Sequence, residues 1–186
     1  MSTKRTPKSP ARSTRPGAQH ATAPAVTAAD AGLLLIRLTF GLLMAAHGAQ
    51  KVFGLFDGPG LTATGRGFAG LGYRPGKLFA VIGGLSELLG GLGLAAGLLT
   101  PLAAAALIGV MINAMVTVSA AHGLWDSDGG LEYNVCITVV ALAIAAIGPG
   151  KLAMDRFLPW GAEGGWPEAA FALGLGGVGA AVTLAL

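Results

Sequence analysis

The dominant pattern along the chain is a series of long apolar segments separated by short polar or glycine-rich ones. A membrane-spanning helix needs about 20 consecutive, mainly apolar residues. Five segments come close to this requirement, and they cover residues 31–53, 78–99, 101–121, 131–148 and 168–186. The pattern therefore predicts an all-α membrane protein, built as a four-helix transmembrane bundle with a fifth apolar helix at the C-terminal end.

Two connections between these segments carry further predictions. Thr100 and Pro101 leave almost no loop between the second and third segments, which therefore form a tight antiparallel hairpin. Residues 54–77 are rich in glycine and aromatic residues and are too apolar for a solvated loop, so we expect them to fold back onto the bundle. Glycines also recur within the second segment, and their spacing favours close helix packing over a ligand cavity.

Composition and charge narrow the class of protein. Apolar residues make up 53% of the 186 residues and charged residues 11%, against about 25% charged residues in soluble domains. These values exclude a soluble enzyme and a nucleic-acid-binding module. Residues 1–29 contain five Lys or Arg and no acidic residue, which predicts a disordered basic tail on the cytoplasmic side. The single cysteine, Cys136, excludes an internal disulfide.

Ionisable side chains within the apolar segments mark candidate functional positions, because they are costly in hydrocarbon. With a rise of about 1.5 Å per helical residue, several of them fall in the outer half of the membrane. They are His47, Lys51, Glu87, His122, Glu132 and Tyr133. A charged network with Glu87 near His47 or Lys51 would offset desolvation. Two interpretations remain open: a network that only fixes helix packing, and a site that handles protons or binds a ligand. Arg37 lies near the cytoplasmic boundary and is predicted to extend towards lipid headgroups.

A set of short motifs follows in order between His47 and Asp155. They are His47-Gly-Ala-Gln50-Lys51-Val-Phe53-Gly54-Leu-Phe56, Gly58-Pro-Gly60-Leu61, Pro75-Gly76, Glu87 before Gly90-Gly91, Gly97-Leu-Leu-Thr100, His122, Gly129-Gly-Leu-Glu132-Tyr133, Gly148-Pro-Gly150 and Asp155. In order and spacing these motifs resemble the DoxX family of small bacterial membrane proteins. The resemblance implies a DoxX-like membrane domain over residues 30–158, with residues 159–186 as an additional apolar segment.

The resemblance also implies a function. Related proteins are subunits of thiosulfate:quinone oxidoreductase or associate with redox-defence enzymes, which suggests a multi-pass subunit of a redox complex in the bacterial plasma (inner) membrane. The expected roles are in sulfur or oxidative-stress metabolism, with a bound quinone as cofactor and other proteins as partners. The chain has no haem-ligating His pair, flavin fingerprint or dithiol, so an electron carrier must be a bound quinone or a partner protein.

The family's shared polar positions give the candidate site. His47 and Glu87 would exchange protons and Lys51 would stabilise an anionic ligand oxygen, so these three are the candidate catalytic residues. Four further positions are candidate ligand-binding residues: Gln50, His122, Glu132 and Tyr133. No metal site is predicted. Two alternatives stay open, a non-enzymatic scaffold that recruits soluble redox partners and a small transporter, as does assembly into a homo-oligomer.

Overall fold

The computed structural model describes residues 25–159 and 163–186, and over these residues the chain is helical, with no β-strand. The α-helices are α1 (Ala28–Phe53), α2 (Gly60–Gly70), α3 (Gly76–Ala96), α4 (Thr100–Ala114), α5 (Glu132–Ile147) and α6 (Trp166–Ala185). α4 continues through a π-helical turn, Met115–Ser119, and a 3-10 turn, Ala120–His122. Most of the predicted basic tail, residues 1–24, lies outside the described residues.

Four of these helices are long and apolar enough to cross a membrane: α1, α3, α4 with its two continuing turns, and α6. α5 is apolar but has only 16 residues. The helices coincide closely with the five predicted segments, and the predicted all-α membrane bundle is confirmed. Residues 54–77 contain α2, which packs against α3 and so folds back onto the bundle as expected.

Glycines bring α1 and α3 into direct backbone contact. A methyl group at Gly91 of α3 would overlap the backbone nitrogen of Ala45 and the carbonyl oxygen of Gly41, both in α1. One at Gly48 of α1 would overlap the backbone of Gly84 and Leu88 in α3. Small residues at such crossings let helices approach closely where no hydrophobic effect drives them together. The predicted close packing therefore occurs at this interface.

The C-terminal segment is a helix of the bundle. α6 packs along α4 and also contacts α5. At the crossing of α4 and α6, a methyl group on Gly176 would lie 2.7 Å from the carbonyl oxygen of Ala105 and 3.1 Å from the nitrogen of Gly109. This backbone contact makes α6 part of the bundle and not a segment that lies apart from the other helices.

Arg37 does not extend to the lipid headgroups, and that prediction is wrong. Its side chain is only 1% exposed, and its guanidinium donates hydrogen bonds to the carbonyl oxygens of Pro149, Ala95 (3.2 Å) and Leu152 (2.9 Å). These carbonyls belong to the end of α3 and to the turn after α5. Because the guanidinium has five N–H donors, one side chain can serve all three, and Arg37 holds this turn against the bundle.

Asp155 completes the same end of the bundle, which we call the proximal end (residues 28–30, 97–100 and 148–158). Its carboxylate is fully buried and accepts hydrogen bonds from the nitrogens of Leu99 (2.7 Å) and Thr100 (2.9 Å) and from the Thr100 hydroxyl (2.7 Å). The first N–H groups of a helix have no partner within the helix. Asp155 therefore supplies a cap for α4 from a distant part of the chain.

Candidate functional site

A cavity of about 760 Å³ lies between α2, α3, α4 and α6. Its walls are mainly apolar, with residues such as Phe68, Phe79, Ile82, Val110 and Leu175. A smaller number of polar side chains also lines it. They are Lys51, Thr64, Tyr73, Ser86, Glu87, Asn113, Thr117 and Thr183. An apolar cavity with a few polar groups is the usual form of a site for a small organic ligand.

Lys51 and Glu87 form an ion pair in the wall of this cavity. The Lys51 ammonium, near the C-terminal end of α1, donates to Oε1 of Glu87, in the middle of α3. The Glu87 side chain is 3% exposed and the Lys51 side chain 31%. Oε2 of Glu87 is buried and has no hydrogen-bond partner among the described residues. A buried acceptor without a partner is destabilising, so this oxygen is the chemically unsatisfied point of the site.

Asn113 fixes another wall of the cavity. Its Oδ1 accepts a hydrogen bond from the Tyr73 hydroxyl (2.9 Å) and lies 3.0 Å from the Thr183 hydroxyl, while its Nδ2 donates to the carbonyl of Gly109 (3.0 Å). The Tyr73 ring packs against Phe79, with ring centroids 4.9 Å apart. One amide on α4 thus holds the connection between α2 and α3 on one side and α6 on the other.

The structure places His47 with Tyr133. Their rings meet edge to face with centroids 5.8 Å apart, and the Tyr133 hydroxyl lies 3.6 Å from the sulfur of Met44. The His47 side chain is exposed, and no hydrogen bond joins it to Glu87 within the part of the chain that the structure describes. Of the two partners that the sequence left open for Glu87, the structure therefore selects Lys51.

Of the seven predicted site residues, only Lys51 and Glu87 line the cavity. The five that lie outside its lining are His47, Tyr133, Gln50, His122 and Glu132. Gln50 donates through Nε2 to the carbonyl of Phe56 (3.2 Å) and so shapes the turn after α1. The ring nitrogen Nδ1 of His122 lies 2.9 Å from the carbonyl oxygen of Val118, one turn earlier. Glu132 accepts through Oε2 from the backbone nitrogen of Asp126 (3.1 Å) and so orders the loop before α5. In this arrangement the three side chains stabilise connections at the end of the bundle opposite the proximal end.

Sequence reasoning missed the hydroxyl-bearing side chains of the cavity: Thr64, Tyr73, Ser86, Thr117 and Thr183. A neutral hydroxyl costs much less to bury than a charge. Neither the depth of these residues in the membrane nor the free-energy cost of burying them therefore singles them out. The one available signal is the position of Ser86, directly before the charged Glu87. No group of three or more His, Cys, Asp or Glu side chains suited to a metal ion occurs in residues 25–159 and 163–186.

A comparison with family models relates this architecture to known proteins. The DoxX model matches residues 32–120. This membrane protein contains a DoxX domain. The match covers nearly all of α1, then α2, α3 and α4, and it includes the Lys51–Glu87 pair and Asn113, whereas α5 and α6 lie beyond it. Neither the curated proteins nor the solved structures contain a match to this chain.

Proposed function

We propose that this DoxX-domain protein is the membrane subunit of a redox-linked complex and that its cavity binds a lipid-soluble quinone. The observation that carries the proposal is the cavity itself, a mainly apolar space of about 760 Å³ with an ion pair in its wall whose carboxylate is buried. Sites for small organic ligands measure about 300–1,000 Å³. A position within the membrane, an apolar lining and one ion pair together suit an amphipathic ligand with a polar ring and an apolar tail.

The residues present fit a quinone. Apolar side chains from α3, α4 and α6 would contact its tail, while Lys51 and Glu87 would lie against its polar ring. When bound, a quinone carries electrons and protons between protein partners. Within the protein, Lys51 would donate a hydrogen bond to a ligand oxygen and would also keep the Glu87 charge compensated. The apolar walls would exclude water, which strengthens both interactions.

The quinone site has a direct test on α6. Gly179 and Gly174 are both exposed helical glycines, and a methyl group added at either position meets no heavy atom within 4 Å. Gly179 lines the cavity, whereas Gly174 does not. Gly179→Leu should therefore fill part of the cavity without forcing helices apart, and Gly174→Leu is its matched control with the same change in helix propensity.

The measurement is the amount of quinone that copurifies with each variant from bacterial membranes in mild detergent, extracted and quantified per mole of protein. We expect the parent and Gly174→Leu to retain similar amounts and Gly179→Leu to retain several-fold less. Equal retention in all three would place the quinone outside this cavity. A parent protein that neither retains quinone nor binds added quinone would refute the proposal, and copurification of redox proteins in that case would support a scaffold.

A further inference from the structure

We infer that the ligand presents a hydroxyl group, rather than a carbonyl or ether oxygen, to the Lys51–Glu87 pair. The inference rests on the proposed function and makes it more specific. For a quinone, it means that the cavity prefers the reduced, hydroxyl-bearing form over the oxidised, carbonyl-bearing form. This preference follows from which hydrogen-bonding groups in the cavity wall already have partners and which do not.

The hydrogen-bonding group that lacks a partner is an acceptor. An ionised carboxylate paired with lysine offers only acceptors, and one of its two oxygens, Oε1, receives the Lys51 ammonium. Oε2 is buried and has no partner among the described residues. Lys51 differs, because its side chain is 31% exposed and its Nζ is not among the buried atoms that lack a partner. A ligand that donates a hydrogen bond to the carboxylate would therefore supply the missing partner.

Three of the other hydroxyls in the cavity donate to groups other than Glu87. The Tyr73 hydroxyl donates to Asn113 (2.9 Å), the Thr64 hydroxyl to the carbonyl of Gly60 (2.9 Å), and the Thr117 hydroxyl to the carbonyl of Asn113 (2.9 Å). Their protons are committed to bonds within or between helices. No group of the described residues donates to Oε2, so a donor in the bound molecule would supply the missing hydrogen bond.

A hydroxyl satisfies both members of the pair. It has one donor, for the Glu87 carboxylate, and two acceptor lone pairs, one of which can receive an N–H of Lys51. A carbonyl or ether oxygen can accept from Lys51 but leaves the Glu87 oxygen without a partner. A site built to bond a hydroxyl discriminates strongly against an analogue that lacks it, because the analogue leaves a buried polar group unpaired.

Two probes that differ only at this group can test the inference without redox chemistry. 4-Nonylphenol carries a hydroxyl, and 4-nonylanisole carries the corresponding methyl ether. Their dissociation constants for the full-length protein in detergent would be measured by calorimetry, with titrations into protein-free micelles to correct for partitioning. We expect the phenol to bind at least about tenfold more tightly, a difference of about 1.4 kcal/mol.

Two variants assign the preference to the ion pair. The double change Lys51→Met with Glu87→Met removes both charges together and so leaves no unpaired buried charge. In this variant the two probes should bind within about threefold of each other. Glu87→Gln is the second variant, and its amide both donates and accepts, so the preference should also fall there even if the double variant does not fold.

The outcomes separate this inference from the quinone proposal. Equal binding of the two probes to the parent, or tighter binding of the ether, would overturn the hydroxyl inference while retention of quinone still supported the proposed function. A tenfold preference that persists in both variants would also overturn it, since the hydroxyl would then be recognised elsewhere. Failure of both probes to bind, together with no retained quinone, would refute the proposed function and the inference with it.

Discussion

A single methyl group at the crossing of α1 and α3 should separate the two helices. Gly91→Ala adds a Cβ that would overlap the nitrogen of Ala45 and the carbonyl oxygen of Gly41. Both obstructing atoms belong to a helix backbone and cannot move individually, so the strain falls on the distance between the two helices. The reciprocal contact shows the same closeness, because a Cβ at Gly41 would lie 2.6 Å from the carbonyl oxygen of Gly91.

The change in the free energy of unfolding is the difference between two opposing contributions. Overpacking a buried contact costs about 1–3 kcal/mol, and the upper part of this range applies where backbone blocks the added group on both sides. Replacing glycine by alanine within a helix stabilises the helix by about 0.5–1 kcal/mol. Gly91→Ala should therefore lower the free energy of unfolding by about 1–2 kcal/mol. Gly177→Ala on α6 is the matched control, since its added methyl meets no heavy atom within 4 Å and should be neutral or slightly stabilising.

The assay is thermal unfolding of the purified proteins in one detergent, followed by intrinsic fluorescence. The same chemical change should have opposite effects on stability at the two positions, with Gly91→Ala less stable than the parent and Gly177→Ala at least as stable. If Gly91→Ala unfolds at the parent's temperature while Gly177→Ala behaves as expected, α1 and α3 do not cross at these residues. Equal destabilisation in both would point to a general cost of alanine rather than to the crossing.

Two further predictions concern the ends of the bundle. Asp155→Ala should lower the free energy of unfolding by about 3 kcal/mol or more, because each buried donor left without a partner costs about 1–3 kcal/mol. Asp155→Asn keeps one carbonyl acceptor and should lose less stability. Unfolding of both variants in detergent measures the difference. In a Cys136→Ala background, a cysteine at the exposed Ser127 should react with an impermeant maleimide in intact cells if the basic tail is cytoplasmic, whereas labelling only after lysis would invert the orientation.

The helices were predictable because membrane thickness fixes their length and apolar character. The predicted first segment, residues 31–53, differs from α1 (Ala28–Phe53) by three residues at its start. α1 begins where Thr27 and Asp30 cap each other through backbone and side chain, and it ends at Gly54 in the left-handed conformation, with φ of 70°. The second segment likewise ends near Gly97, with φ of 64°. These signals are local, so a single sequence is enough to find them.

The buried polar contacts were harder to predict because each depends on segments far apart in the chain. Arg37 is buried only because the turn after α5 returns to the proximal end and brings the carbonyls of Pro149 and Leu152 to it. Depth along the helices put Lys51 and Glu87 within reach of each other but equally allowed His47 as the partner. Depth alone gives no direction around a helix axis, and the contact of His47 with Tyr133 depends on that direction.

The charged side chains in the two halves of the bundle have different partners, and this difference distinguishes charges that stabilise turns from those proposed to bind a ligand. At the proximal end, Arg37 bonds to backbone carbonyls and Asp155 mainly to backbone N–H groups, so both charges are used to hold turns in place. Lys51 and Glu87 instead bond to each other and lie in a cavity wall. They also lie within residues 32–120, which match the DoxX model, whereas α6 lies outside that match. The family-matched part therefore holds the residues of the proposed polar recognition, and α6 adds further wall residues, among them Leu175, Gly179 and Thr183.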